Sequence, residues 1–317
     1  MGRRNMEMVV VVLGLLAMVQ QSMQHSLKNP LPLLSRNMRT DDTPAFGLIT
    51  TSYSAEKALI ESGFFVPISY TDLLGRRFVV GTIYGARVVF VRTSGSPSVH
   101  VGITVQIMAD NFNLAGIVHF GSAGATNESL SIGTVSVPRL VGFTGSWEWL
   151  SKDSNEQGEL VFGEFNYPEN GQNLLGSVNF GDVEIYYKGK LYEGNNFWLY
   201  PSATWQRYAS RVKIDSGDVV VGLNASSSDI YVKNPAYREF LYKNFRVSTV
   251  DTSSAAVILG AKSNTLKFIS FHGISNYAGA GNSTESATEL ANKNVVKAVI
   301  NFIWQATVPR YAHEADA

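Results

Sequence analysis

Cysteine is absent from the 317-residue chain. That excludes disulfides, thiolate metal sites and a cysteine nucleophile together. Histidine is scarce, with five in all, and no two stand at metal-ligand spacing, so the sequence predicts no metal centre and no resident cofactor. Charge is scarce too. Charged residues make up 16% of the chain, and 26 basic residues balance 26 acidic ones for a formal net charge of +0. That balance gives no electrostatic reason to expect nucleic acid or an anionic membrane surface as a partner. Apolar side chains, by contrast, are 45% of the chain, enough to bury a sizeable core. Glycine is abundant, at 28 residues.

The N-terminus has the form of a secretory signal. Arg3 and Arg4 precede a short apolar run from Met8 to Val19, which is shorter than the roughly twenty residues a bilayer span takes. Gln20-Gln21-Ser22 and a polar stretch holding Pro30, Pro32 and Pro44 follow, which argues against a buried core helix. The expected organisation is a signal over 1–25, a linker over 26–44, one domain over 45–306 and a tail over 307–317. No small-x-small pair marks the cleavage site, and retention as an anchor is the alternative. Three N-glycosylation sequons fit the secretory route: Asn127-Glu-Ser, Asn224-Ala-Ser and Asn282-Ser-Thr.

Alternation of apolar and helical patterns predicts an α/β domain. Phe46 to Thr50 reads as a first buried strand. Thr51 or Ser52 then caps a helix through Ile60 that stops at Gly63. A hairpin follows, Arg77–Tyr84 and Arg87–Arg92, turning at Tyr84-Gly85-Ala86. From Ser98 to Phe112, Val99, Ile103 and Ile107 recur every four residues, as on one helix face, with Gly102 a candidate for close packing on a sheet. Ala115 to Phe120 is a continuous apolar run, as in a central parallel strand, and it ends in the turn-like Gly121-Ser-Ala-Gly124. Ile132–Pro138, Val219–Gly222 and Phe268–Gly273 read as further strands. Helices are expected over Pro235–Asn244 and from near Ser253 to Ala261. Ser286-Ala-Thr-Glu289 looks like a capping box for a last helix through Trp304. The aromatic-rich segment 141–212, with Trp147, Trp149, Trp198 and Trp205, reads as loops decorating one face.

Phe120-Gly-Ser-Ala-Gly124, followed by Ile132-Gly-Thr-Val-Ser136, resembles the nucleoside phosphorylase and nucleosidase family. The likeness keeps the order of elements from about residue 46 to 306. With the signal, the long insertion and the stretch Asn224–Tyr242, the chain looks like the plant branch that contains bark storage and vegetative storage proteins. The resemblance implies a three-layer αβα domain with a mixed central sheet, a homo-oligomer, and a vacuolar or extracellular destination. It also implies a pocket for a purine nucleoside or base, with phosphate as a conceivable co-substrate.

Family members cleave a ribose–base bond through a transition state with oxocarbenium character. Positive charge grows on the sugar, and the departing purine needs a proton. An early-helix glutamate positions water in hydrolytic members. Glu56 matches that place, and a solvated helix residue is the other reading of it. Gly121, Ser122, Ala123 and Gly124 match the turn that lines the site at a strand's C-terminal end. Tyr231, with Val232 beside it, matches the aromatic that stacks on the base, or else is a core tyrosine.

Three departures fall on the catalytic elements. The family's Glu-Met-Glu or Asp-Met-Glu segment reads Asp251-Thr252-Ser253 here, so Ser253 stands where the ribose-binding acid belongs and Thr252 lies beside it. The Ser-Asp pattern ends in Asn276, an amide that donates a hydrogen bond but delivers no proton. His272 stands where many members have arginine and is either a substitute acid or a core histidine. The Gly-x-Gly turn before the long helix reads Ser94-Gly95-Ser96, with Arg92 upstream either facing phosphate or ending a strand in solvent. The sequence therefore predicts a nucleosidase-like scaffold with weakened acids, serving as a storage-like nitrogen reserve. The alternatives are a purine or cytokinin-riboside phosphorylase or nucleosidase, another small-molecule enzyme in the same pocket, and a nucleoside binder without turnover.

Overall fold

In the computed structural model, the described residues are 43–151, 160–161, 175–181, 183–187, 189–192 and 197–307. The expected signal, the linker up to residue 42 and the tail beyond 307 lie outside them, as does the side chain of Trp149.

Strand β1 (Ala45–Thr50) is buried along its whole length and leads into α1 (Tyr53–Glu61). The side chain of Ser52 accepts from the amide of Ala55 at 3.2 Å and caps that helix, as the sequence suggested. Next come β2 (Phe65–Leu73), β3 (Arg76–Ile83) and β4 (Ala86–Arg92), an antiparallel meander. Its two turns are Leu74-Gly75 and Tyr84-Gly85, each with positive φ at both positions, the geometry that matches strand twist in a two-residue hairpin. Strand β2 was not anticipated. It is the sheet's edge, and its Pro, Ser, Thr and Asp residues show no buried period.

Helix α2 (Val99–Asn111) is where the sequence placed it, but its buried face is Val101, Thr104, Val105, Ile107 and Met108. Val99 and Ile103 are exposed, at 57% and 45%. A side chain at Gly102 would point into open space, so this glycine serves no close packing. The helix continues into β5 (Leu114–Ala125), β6 (Val135–Val137) and β7 (Leu140–Phe143). Gly121-Ser-Ala-Gly124 lies within β5, just before its last residue Ala125, and is not a turn. Strands β8 (Trp147–Ser151), β9 (Leu160–Val161) and β10 (Leu175–Phe180) form a separate small sheet, and β11 (Ile185–Tyr187) pairs with β12 (Lys190–Tyr192).

The rest of the chain supplies β13 (Trp198–Leu199), α3 (Ala203–Ala209), β14 (Val219–Val221), β15 (Asn224–Ser227), α4 (Pro235–Phe245), β16 (Val247–Asp251), α5 (Ser254–Ser263), β17 (Lys267–Tyr277) and α6 (Glu285–Thr307). Helix α6 starts one residue after Thr284, whose hydroxyl accepts from Ala287 N at 3.2 Å. The cap is thus Thr284 rather than Ser286.

Twelve strands form one mixed sheet in the order β13-β7-β15-β16-β5-β1-β4-β3-β2, with β17 paired to β5 and β6, and β14 to β6. Strands β1, β5 and β17 run parallel, while the tip of β5 pairs antiparallel with β16. Helices α1 and α3 pack on α6, and α2 packs on α5. Segment 141–212 does more than decorate. Trp205 of α3 is 3% exposed and packs on Phe46 and Phe302. A Cβ at Gly116 would meet its ring at 2.6 Å, and Gly116 sits at φ +153, so this glycine is required by the contact. Trp147, Phe197 and Trp198 join Phe240 and Phe245 in a second cluster.

Candidate functional site

The C-terminal ends of β1, β5, β16 and β17 converge, as parallel strand ends do where such sheets bind ligands. They surround a cavity of about 440 Å³. Thr51 and Ser52 follow β1, Ser122, Ala123 and Gly124 end β5, Val250, Asp251 and Thr252 end β16, and Ser275 and Asn276 end β17. The loop Ile230–Lys233 and residues Gly281–Ser283 complete the wall.

Each wall is fixed by contacts the sequence provides. Asp229 receives Ser98 N at 2.7 Å and the Ser98 hydroxyl at 2.9 Å, which ties the Tyr231 loop to the start of α2. Gly279 N donates to Val232 O at 2.9 Å. Asn276 Nδ2 donates to the carbonyls of Tyr277 and Gly281, both at 3.3 Å, and its Oδ1 accepts from Ser275 Oγ at 3.3 Å. The Asn276 amide, at the place where the resemblance puts an acid, is therefore engaged with its own loop.

Asp251 is the only carboxylate among the described residues that line the cavity. Its side chain is 5% exposed. Oδ2 accepts from Ser253 N at 3.1 Å, Ser254 N at 2.8 Å and Ser253 Oγ at 3.3 Å, while Oδ1 accepts from Ser254 Oγ at 2.6 Å. The carboxylate thus serves the N-terminus of α5, where a negative charge meets unpaired amides. Burial alone would push its pKa up. The neighbouring imidazoles of His272 and His119 and the donors of Ser254 outweigh that and hold it below the ordinary value.

Ser253 does not line the cavity. It is 3% exposed, and its hydroxyl lies 2.9 Å from His119 Nε2, while His119 Nδ1 lies 2.8 Å from Ser270 Oγ. One consistent set of donors runs from the Ser270 hydroxyl through a neutral His119 and the Ser253 hydroxyl to Asp251. Burial lowers the His119 pKa to about 4. His272 is 1% exposed, with Nδ1 3.0 Å from Thr249 Oγ1 and Nε2 4.0 Å from Asp251 Oδ2, and burial lowers its pKa as well. Its position is that of a core histidine.

Glu56 and Arg92 lie elsewhere. They form an ion pair at 2.5 Å, and both line a different groove of about 880 Å³ with Arg76, Arg77 and His100. Neither is among the residues lining the Tyr231 cavity, where Thr51 and Ser52 occupy the start of the first helix. Glu56 stands one helical turn past that point. Gly121, the first glycine of its motif, is also off the lining, whereas Ser122, Ala123, Gly124, Tyr231, Val232, Thr252 and Asn276 are on it. Tyr231 is 66% exposed, so it is not a core tyrosine.

Of the three sequons, Asn224 is excluded by the fold. It is 9% exposed in β15, and its Nδ2, the atom that would carry sugar, donates to Phe245 O at 3.1 Å. The sequence reading missed Thr51, Ser52, Lys233, Ser275 and Ser283 on the wall. Small hydroxyl residues and a lone lysine carry no local signature. Only the strand ends and the loops that follow them betray the position.

Comparison with known proteins agrees with this geometry. The family model described as phosphorylase superfamily matches residues 46–303. Bark storage protein A of Populus deltoides is 40% identical over 315 residues, covering 94% of this chain and 100% of that protein. Bark storage protein B from the same species is 39% identical over the same shares. Among solved structures, a 5'-methylthioadenosine/S-adenosylhomocysteine nucleosidase from S. pneumoniae superposes with TM-score 0.62 at 17% identity, over 82% of this chain and 98% of that one. The futalosine hydrolase of Helicobacter pylori gives TM-score 0.61 at 17% identity, over 82% and 97%. The strand order, the cavity at the strand ends and these matches agree, and the chain belongs to the phosphorylase superfamily.

Proposed function

We propose that this protein is a storage-like member of its superfamily, a nitrogen reserve held in the secretory pathway, in the vacuole or outside the cell, whose cavity has lost the acids of glycosidic cleavage. One observation carries the reading. Among the described residues lining the cavity the one carboxylate, Asp251, is spent on the α5 N-terminus, while the two places where the resemblance puts acids hold Ser253, which faces His119, and Asn276, which holds its own loop. Without a carboxylate turned toward ligand, charge on an oxocarbenium ion is unsupported, and without an acid the purine leaves unprotonated. Loss of general-acid catalysis alone typically costs about 10²–10⁴ in rate. The likeness to proteins named as bark storage proteins supports the same reading.

A reserve accumulates when nitrogen is abundant and disappears when it is withdrawn. Quantitative immunoblots through a cycle of nitrogen feeding and starvation test this, and a level that stays constant refutes it. A second reading is favoured by the cavity itself, whose volume and Tyr231 wall remain: a binder of purine nucleoside or base, or a weak phosphorylase or nucleosidase. A thermal shift with adenine or adenosine separates binder from reserve, since a ligand that prefers the native state raises apparent stability. Assembly as a homo-oligomer is part of the proposal. The exposed Val66, Ile68 and Tyr70 of β2 and Val99 and Ile103 of α2 support it, and sedimentation velocity tests it.

A further inference from the structure

We propose that Asn282 carries an N-linked glycan rooted on the rim of the cavity, which screens the cavity from bulky solutes. This rests on the secretory reading above. Asn282 is exposed and is itself part of the cavity wall. It opens the sequon Asn282-Ser283-Thr284 in the loop between β17 and α6. Among the described residues its carboxamide makes no hydrogen bond, unlike that of Asn224, which is buried and bonded to Phe245 O. The third sequon asparagine, Asn127, bonds its Oδ1 to Ser129 N at 3.0 Å and is not on the cavity wall.

The loop on which Asn282 sits is pinned on both sides. Asn276 Nδ2 holds Gly281 O at 3.3 Å. The Ser283 hydroxyl reaches Ser275 O at 2.8 Å and Thr288 Oγ1 at 2.7 Å. Thr284 caps α6. A sugar attached here would have its first residue fixed beside Tyr231, Lys233 and Asn276 instead of swinging on a loose loop. The chemistry is a single transfer from a lipid-linked oligosaccharide diphosphate. The Asn282 Nδ2–C bond forms at the anomeric carbon, the C–O bond to diphosphate breaks, a proton leaves Nδ2, and the lipid diphosphate departs. The product is bulky and hydrophilic. It leaves the core untouched, because the side chain already faces solvent.

The test expresses the full chain in a eukaryotic secretory host behind an added cleavable signal, so that the result does not depend on the chain's own leader. The peptide containing Asn282 is then weighed before and after an N-glycan amidase, which converts a glycosylated asparagine to aspartate. Acylation of Lys233 by a bulky and by a small amine-reactive ester is timed in the same protein and in Asn282→Gln. The expected result is a glycan mass on Asn282 that the amidase removes. Bulky acylation of Lys233 should be at least about threefold faster in Asn282→Gln or after deglycosylation, with the small reagent little changed, as a steric screen requires. An unmodified Asn282 in secreted protein overturns the proposal, and so do equal bulky-reagent rates with and without glycan. Neither readout depends on whether the cavity turns over or stores nothing, so failure here is distinct from failure of the functional reading.

Discussion

The hydroxyl of Ser253 meets His119 Nε2 at 2.9 Å, away from the cavity that Asn276 and Tyr231 line. Ser253, at the place where the resemblance puts an acid, is part of the buried polar network of the sheet and is not among the residues lining the cavity. Ser253→Ala removes the hydroxyl's hydrogen bonds to His119 and to Asp251 and leaves a buried imidazole nitrogen unpartnered. The expected cost is about 1–3 kcal/mol, read from urea denaturation. A change too small to measure would mean the contact contributes nothing.

Asp251 organises the start of α5, with the Ser254 amide at 2.8 Å and its hydroxyl at 2.6 Å. Asp251→Asn keeps shape and removes charge, and the expected loss is about 1–2 kcal/mol, the usual range for a helix cap. Hydrogen exchange should rise selectively at the amides of Ser253 and Ser254. Unchanged protection at those amides would contradict the capping role.

Stability should fall on mild acidification. Burial depresses the pKa of both His119, to about 4, and His272 below the ordinary histidine value. The unfolded chain therefore binds more protons than the folded one below about pH 6.5. Stability is full above that value and is lost as pH falls toward 4. The shift of His119 alone corresponds to about 2 kcal/mol between pH 7 and pH 5. Asp251, with its pKa lowered, adds a further loss only below its unfolded value near 4. Urea midpoints at pH 7.5, 6 and 5 measure this, and His119→Gln should flatten the profile. A midpoint that is flat from pH 7.5 to 5 would sink the assignment.

Glu56 should matter little to ligand and to fold. It pairs with Arg92 in the larger groove, with side chains 23% and 45% exposed, so solvent screens the pair. Glu56→Gln is expected to change stability by less than about 1 kcal/mol and to leave any adenine-induced thermal shift unaltered. If the variant abolishes such a shift, Glu56 belongs to the cavity after all.

Much of the fold was legible in the sequence. Ala45–Thr50, Leu114–Ala125 and Lys267–Tyr277 are strands buried over most of their length, and continuous apolar runs announce them. The site was harder to read. Gly121-Ser-Ala-Gly124 looks like a turn in one dimension, yet pairing with Gly273, Ile274 and Asn276 keeps it extended. The face of α2 was misread because Val101, Val105 and Met108 are as apolar as Val99 and Ile103, and only the packing against α5 chooses between them. Glu56 lines the larger groove with Arg92 and not the Tyr231 cavity, and spacing along the first helix alone does not reveal which of the two it faces.

The most direct measurement is base release. The chain is incubated with adenosine, inosine, methylthioadenosine and a cytokinin riboside, with and without phosphate, and the liberated base is quantified by chromatography. With Asp251 committed to α5, Ser253 to His119 and Asn276 to its loop, the expected result is no base above a protein-free control in either buffer. Release well above that control, with or without phosphate, would contradict the proposed loss of catalytic acids and make the protein an enzyme.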